Sequence, residues 1–227
     1  MLLDLHSILD QTALIPIIVL CWVIKYTPKR TLYNPFITVL IIKELAEIAT
    51  LFLIKGYHAS NAVPYNILYT AEAFLFTLQF KQWGVFDNNN NVYKFILYSL
   101  TAFWIFDHFI MHSFTTFNIY FRLYYCFVLT LMAVYQINLL TVNSNNPLYN
   151  NSIGIICTGI ILLFTYNIIY EVIFRMGLYN KKYTDFAIKT DEVMAYVNAV
   201  ANLLFAWAMY NLPLKKDFRI PKDNPLL

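Results

Sequence analysis

Apolar residues in this chain come in long blocks rather than in short alternations. The blocks run to roughly 18–23 residues, the length of α-helix that crosses about 30 Å of hydrocarbon. About seven can be marked, at residues 8–24, 32–54, 65–85, 92–112, 118–140, 152–174 and 192–212. Polar punctuation separates them. Lys25, Lys29 and Arg30 follow the first, and Asp87 with the asparagines at 88–91 reads as a turn after the third. An uncharged, Asn-rich loop spans 141–151, and a connection at 176–191 holds Lys181, Lys182, Asp185 and Lys189. Pro213 stops the last block before Lys215, Lys216, Arg219 and Lys222. The pattern predicts an all-α, polytopic membrane protein: one domain over residues 1–227, built as a bundle of about seven transmembrane helices. The first block lacks a basic flank and a small-residue cleavage site, so it reads as a span rather than a signal peptide.

The second block breaks the apolar rule in an informative way. Between Phe36 and Ile54 it carries Lys43, Glu44 and Glu47 near its middle. A charge at that depth costs roughly 3 kcal/mol on insertion scales. On a helix, Lys43 and Glu47 lie about 40° apart and Glu44 and Glu47 about 60° apart. All three fit one face, which must look into protein. Pro35, in the first turn, does little harm there.

Composition narrows the class further. Of 227 residues, 59% are hydrophobic and only 13% charged, against about a quarter in soluble domains. Little sequence remains outside the blocks for a soluble domain. The net charge of +3 sits in loops and tail, so nucleic acid is not an expected partner. The bilayer is, together with a membrane or cytoplasmic signalling partner. Cys21, Cys126 and Cys157 all fall inside apolar blocks and read as small buried hydrophobes rather than a disulfide or zinc framework. Lys/Arg asymmetry places the 25–30 loop and the basic tail on the cytoplasmic side. The expectation is therefore a multi-pass protein of the cell membrane, N-terminus outside and C-terminus cytoplasmic, with the lysines of 176–191 as the conflicting signal.

On that topology the intramembrane polar groups gather towards the side that carries the N-terminus. Glu47, Glu72, Asp107, Arg122, Glu171 and Asn198 fall on six different blocks, with Lys43 and Glu44 near mid-depth. These eight are the expected ligand-binding residues. Several form stripes at helical spacing: Tyr65, Tyr69, Glu72 and Gln79; Asn167, Glu171 and Arg175; Asp191, Ala195, Asn198 and Asn202. Interhelical hydrogen bonding accounts for the same stripes without a ligand. Carboxylates outnumber cations in the set, which calls for protonation or for a bound cation, a divalent one included. His108 and His112, spaced i, i+4, could present two imidazoles to a metal. No further membrane histidine completes a zinc site, and 193–212 holds no lysine for a retinal Schiff base, so neither the seven-helix zinc hydrolases nor the microbial rhodopsins are matched. The first expectation is a sensor or receptor-like module, or a partner-coupled subunit, with an outward-facing polar pocket. A metal-dependent intramembrane hydrolase comes second and a proton- or cation-coupled transporter third.

Overall fold

A computed structural model describes residues 9, 11–23, 30–57, 60–87, 89–111, 113, 115–143, 151–179 and 184–212. Within them the chain forms seven α-helices and no strand: α1 (Leu14–Val23), α2 (Asn34–Tyr57), α3 (Ala62–Gln82), α4 (Asn90–Ile105), α5 (Ile119–Asn143), α6 (Ser152–Tyr179) and α7 (Thr184–Asn211). A π-helical turn, Phe106–Met111, prolongs α4. Four of these are long and apolar enough to cross a membrane: α4 with its π turn, α5, α6 and α7. That points to a membrane protein. Helices α2 and α3 have 24 and 21 residues, and α2 carries the three central charges. Helix α1 has 10 residues, about 15 Å of rise, roughly half a bilayer core.

Burial differs from that of a water-soluble fold in that large apolar side chains also cover the outside. Phe95, Tyr98 and Phe109 are each 71% exposed, while Glu72, Gln79, Asp107, Gln136 and Glu171 are all buried. Apolar surface faces outward and polar side chains face one another, as an environment of lipid requires. Helix α6 packs most extensively on α7 and then on α5; α2 packs on α3, α3 on α5, and α1 on α7. Helices α2, α3, α5, α6 and α7 follow one another around a ring that Phe36 of α2 and Phe205 of α7 close. Helix α4 lies outside it against α3 and α5, with only 17% of its apolar window buried.

The centre of the ring is aromatic. Phe36, Phe76, Phe164 and Phe205 are essentially inaccessible. Phe36 meets Phe205 edge-on at 5.2 Å, and Phe76 meets Phe164 edge-on at 5.7 Å, the favoured geometry for ring quadrupoles. At Gly159 α6 has no side chain, and an added Cβ would lie 2.6 Å from the Phe205 ring. Close approach of α6 and α7 depends on that glycine. Cys126 and Cys157 are buried as expected, whereas Cys21 is exposed.

Helix ends explain where the elements depart from the apolar blocks. Helix α3 begins before Pro64, which occupies the first turn rather than the preceding loop. It ends at Gln82, short of the expected Val85, because Gly84 adopts a left-handed φ of 85°. Gly84 N–H donates to Lys81 O and Val85 N–H to Phe80 O, the paired bonds of a Schellman cap. Asn89 and Asn151 cap α4 and α6 by accepting from Asn91 and Ile153 amides. The 176–191 connection is largely helical, α6 running on to Tyr179 and α7 starting at Thr184. Asp185 in the first turn and Lys189 four residues on suit a polar helix start. Hydropathy located the apolar section and passed over the helix beyond it.

Candidate functional site

Glutamine 79 fixes how α2 enters the ring. Its side chain is fully buried, and Oε1 accepts the Phe36 amide at 3.0 Å while Nε2 donates to Leu32 O at 2.8 Å. The start of α2 is thereby held against α3, which sets the rotation of the charged segment. Lys43 and Glu47 then face a cavity of about 430 Å³ bounded by α2, α3, α5, α6 and α7. Ile41, Leu45 and Ile48 are 46%, 59% and 59% exposed on the opposite side. The cavity occupies one end of the bundle. Its lining comes from the middle of α2, the beginnings of α3 and α5, the first half of α7 and the middle and later turns of α6.

An Arg122-centred cluster organises one wall. Arg122 forms an ion pair with Glu171 and donates to Asn167 Oδ1 at 2.6 Å, both acceptors lying one turn apart on α6. Its guanidinium also lies over the Tyr69 ring, 4.4 Å from the centroid. The planar fork and weak hydration of arginine suit this combination of bidentate bonding and stacking. Glu72, on the adjoining wall, is buried and accepts the Tyr125 hydroxyl at 2.8 Å through Oε2. Glu47 accepts from the Tyr65 hydroxyl at 3.3 and 3.4 Å. Lys43 donates to Asn202 Oδ1 at 3.4 Å, and Asn202 Nδ2 in turn donates to Thr12 at 3.1 Å. Tyr65 and Tyr69 stack at 5.8 Å, and Phe117, Tyr170 and Phe174 complete an aromatic lining. Asp191 closes the α7 side beside Ala195 and Asn198.

No family model, curated protein or solved structure matches the chain. The site is therefore judged on its own geometry.

Six of the eight expected ligand-binding residues line the cavity: Lys43, Glu47, Glu72, Arg122, Glu171 and Asn198. Glu44 and Asp107 do not. Glu44 is about 100° around α2 from Lys43 and sits half-buried on the shoulder of the charged face. Asp107 is on α4, outside the ring, and its Oδ2 accepts the Phe121 amide at 2.7 Å in the first turn of α5. It serves there as a cap donated from a neighbouring helix, compensating the positive end of α5. Asn118, at the usual capping position, has both side-chain polar atoms buried without a hydrogen bond. His108 is buried beside Asp107; its Nδ1 donates to Trp104 O at 3.0 Å and its ring packs on Trp104 and Phe121. His112 lies outside the described residues, as does the side chain of Arg175. Among the described residues no three His, Cys, Asp or Glu side chains converge as metal ligands.

The stripes sort by depth. Tyr65, Tyr69 and Glu72 line the cavity, while Gln79 lies two turns deeper at the α2 junction. Likewise Asp191, Ala195 and Asn198 face the cavity, and Asn202 marks its deep edge through Lys43. Tyr125, Tyr170, Phe117 and Phe174 were not singled out from sequence. Tyr170 and Phe174 each fall three residues beyond Asn167 and Glu171, on the same stripe, but a chain with 18 Tyr and 19 Phe gives such neighbours little contrast.

Proposed function

We propose that the chain is a membrane-embedded bundle of about seven spans whose cavity takes a small molecule or cation from the outer side. It acts as a sensor or receptor-like module, or as a subunit coupled to a membrane or cytoplasmic partner. In this reading the N-terminus lies outside and the C-terminus in the cytoplasm of a cell-membrane protein. The observation that carries it is the one-ended cavity: charged groups from all five ring helices line it, and buried phenylalanines pack beneath it. Ligand can enter such a cavity from one side, and the aromatic packing of Phe36, Phe76, Phe164 and Phe205 beneath it speaks against a route onward. Unbroken α5, α6 and α7 fit a module that responds by small helix displacements rather than by rocking halves.

Accessibility in intact cells tests the orientation. On a background lacking the three native cysteines, Asn61→Cys at the cavity and Thr31→Cys in the basic connection should differ. An impermeant thiol reagent should label the first and spare the second. Labelling of Thr31→Cys alone would invert the orientation; labelling of both would end the two-sided scheme. Purified protein in liposomes should show no ion or solute flux, and saturable flux would replace the sensor by a transporter.

A further inference from the structure

We propose that the cavity binds a compact organic cation, an ammonium group carried on an aromatic or apolar body, with Glu72 as the anionic anchor. This rests on the reading of the cavity as a ligand site. Glu72 is only 7% exposed, yet it forms no ion pair among the described residues, and its Oε1 accepts no hydrogen bond from them. A buried carboxylate with half its acceptor capacity open is a costly arrangement that an incoming donor relieves. The protein's own arginine does not serve, because Arg122 is already committed to Glu171, Asn167 and the Tyr69 face. Among the described lining residues two cations, Lys43 and Arg122, stand beside four carboxylates, Glu47, Glu72, Glu171 and Asp191.

Organic rather than inorganic charge follows from the ligand set. A calcium ion takes six to eight oxygens, and among the described residues no group of three candidate metal ligands converges. The walls present aromatic rings instead: Tyr65 stacked on Tyr69, with Phe117, Tyr170 and Phe174 around them. Ring faces attract an ammonium and also cover an apolar body, which a hydrated metal ion does not offer. A cavity of about 430 Å³ has room for a compact amine.

The test uses the full chain in lipid nanodiscs, with empty nanodiscs as reference for partitioning. Binding of 2-phenylethylamine, 2-phenylethanol, phenylacetate and calcium chloride is followed by calorimetry and by thermal shift. The amine should bind saturably and at least tenfold more tightly than the uncharged alcohol. Glu72→Gln should weaken it at least tenfold, and Glu72→Asp should retain part of the affinity. Asn198→Leu, which fills the cavity without touching the anchor, should weaken amine and alcohol together and keeps the test decisive where Glu72→Gln does not fold. Equal binding of amine and alcohol, with Glu72→Gln unchanged, overturns the cationic ligand but leaves the cavity as a ligand site. Preference for phenylacetate or for calcium overturns it as well. Binding of none of the four overturns the inference and removes the support for a ligand site.

Discussion

Replacing Gln79 with leucine tests the joint on which the charged helix turns. The substitution nearly conserves volume but removes one acceptor and one donor from a fully buried position. The Phe36 amide, now 3.0 Å from Oε1, and the Leu32 carbonyl, 2.8 Å from Nε2, both lose their partner. Each buried backbone group left unpaired costs about 1–3 kcal/mol, so the two together cost roughly 2–6 kcal/mol. Burying leucine instead of an amide returns part of this, on the order of 1–2 kcal/mol. A net loss of about 1–4 kcal/mol remains, by the difference of these terms. Thermal unfolding of detergent-purified protein, followed by circular dichroism, should register a clear fall in Tm. Gln82→Leu, three residues on at an exposed site, should stay within about 0.5 kcal/mol of wild type. Because Gln79 sets the rotation of α2, the variant should also make a cysteine placed at Ile48 less reactive to a lipid-side probe. A Gln79→Leu protein as stable as the Gln82→Leu control would refute the claim that the amide holds α2 in place.

Further outcomes follow from other contacts. Arg122→Ala and Glu171→Ala should each destabilise by about 3–5 kcal/mol, since each leaves a buried charge unmatched. The double variant should cost less than the sum by about 1–3 kcal/mol, measured as a double-mutant cycle in urea or by heat; strict additivity would mean the two charges do not interact. Gly159→Ala places a methyl against the Phe205 ring and should cost about 1–3 kcal/mol through overpacking, with Gly56→Ala, which meets nothing within 4 Å, as the near-neutral control. Asp107→Ala should cost about 1–2 kcal/mol by uncapping α5, and amide exchange should rise first at Phe121.

Much of the architecture was legible because lipid imposes a simple rule: long apolar runs become helices, and charges within them turn inward. That rule placed Lys43 and Glu47 on the face that meets the cavity, and it grouped Tyr65 with Glu72 and Asn167 with Glu171. It failed where chain ends and neighbours decide. Gly84 stops α3 ahead of two apolar residues, and the polar start of α7 lies beyond what hydropathy detects. Asp107 shows the deeper limit. Depth and charge alone cannot tell a carboxylate that faces a cavity from one that caps a neighbouring helix. The difference depends on where α4 packs, and α4 sits outside the ring for reasons of tertiary fit. Glu44 shows the same limit at smaller scale, where some 60° of rotation from Glu47 separates a cavity wall from its shoulder.

If the chain is the sensor proposed above, the phenylalanine floor also bears on what kind of message can leave the cavity. Phe36, Phe76, Phe164 and Phe205 offer no dipole that can reorient and no proton that can hop. A charge arriving at Glu72 enters the same cavity that Glu47, Glu171 and Asp191 line, so it acts on those carboxylates. Among the described residues no hydrogen bond joins Glu72, which accepts from Tyr125, to Gln79, which is bonded to Phe36 and Leu32. A signal of the proposed sensor that reached the far end of the bundle would then travel as movement of the helices packed through these rings. In that reading the cavity is where electrical influence stops and helix movement would begin.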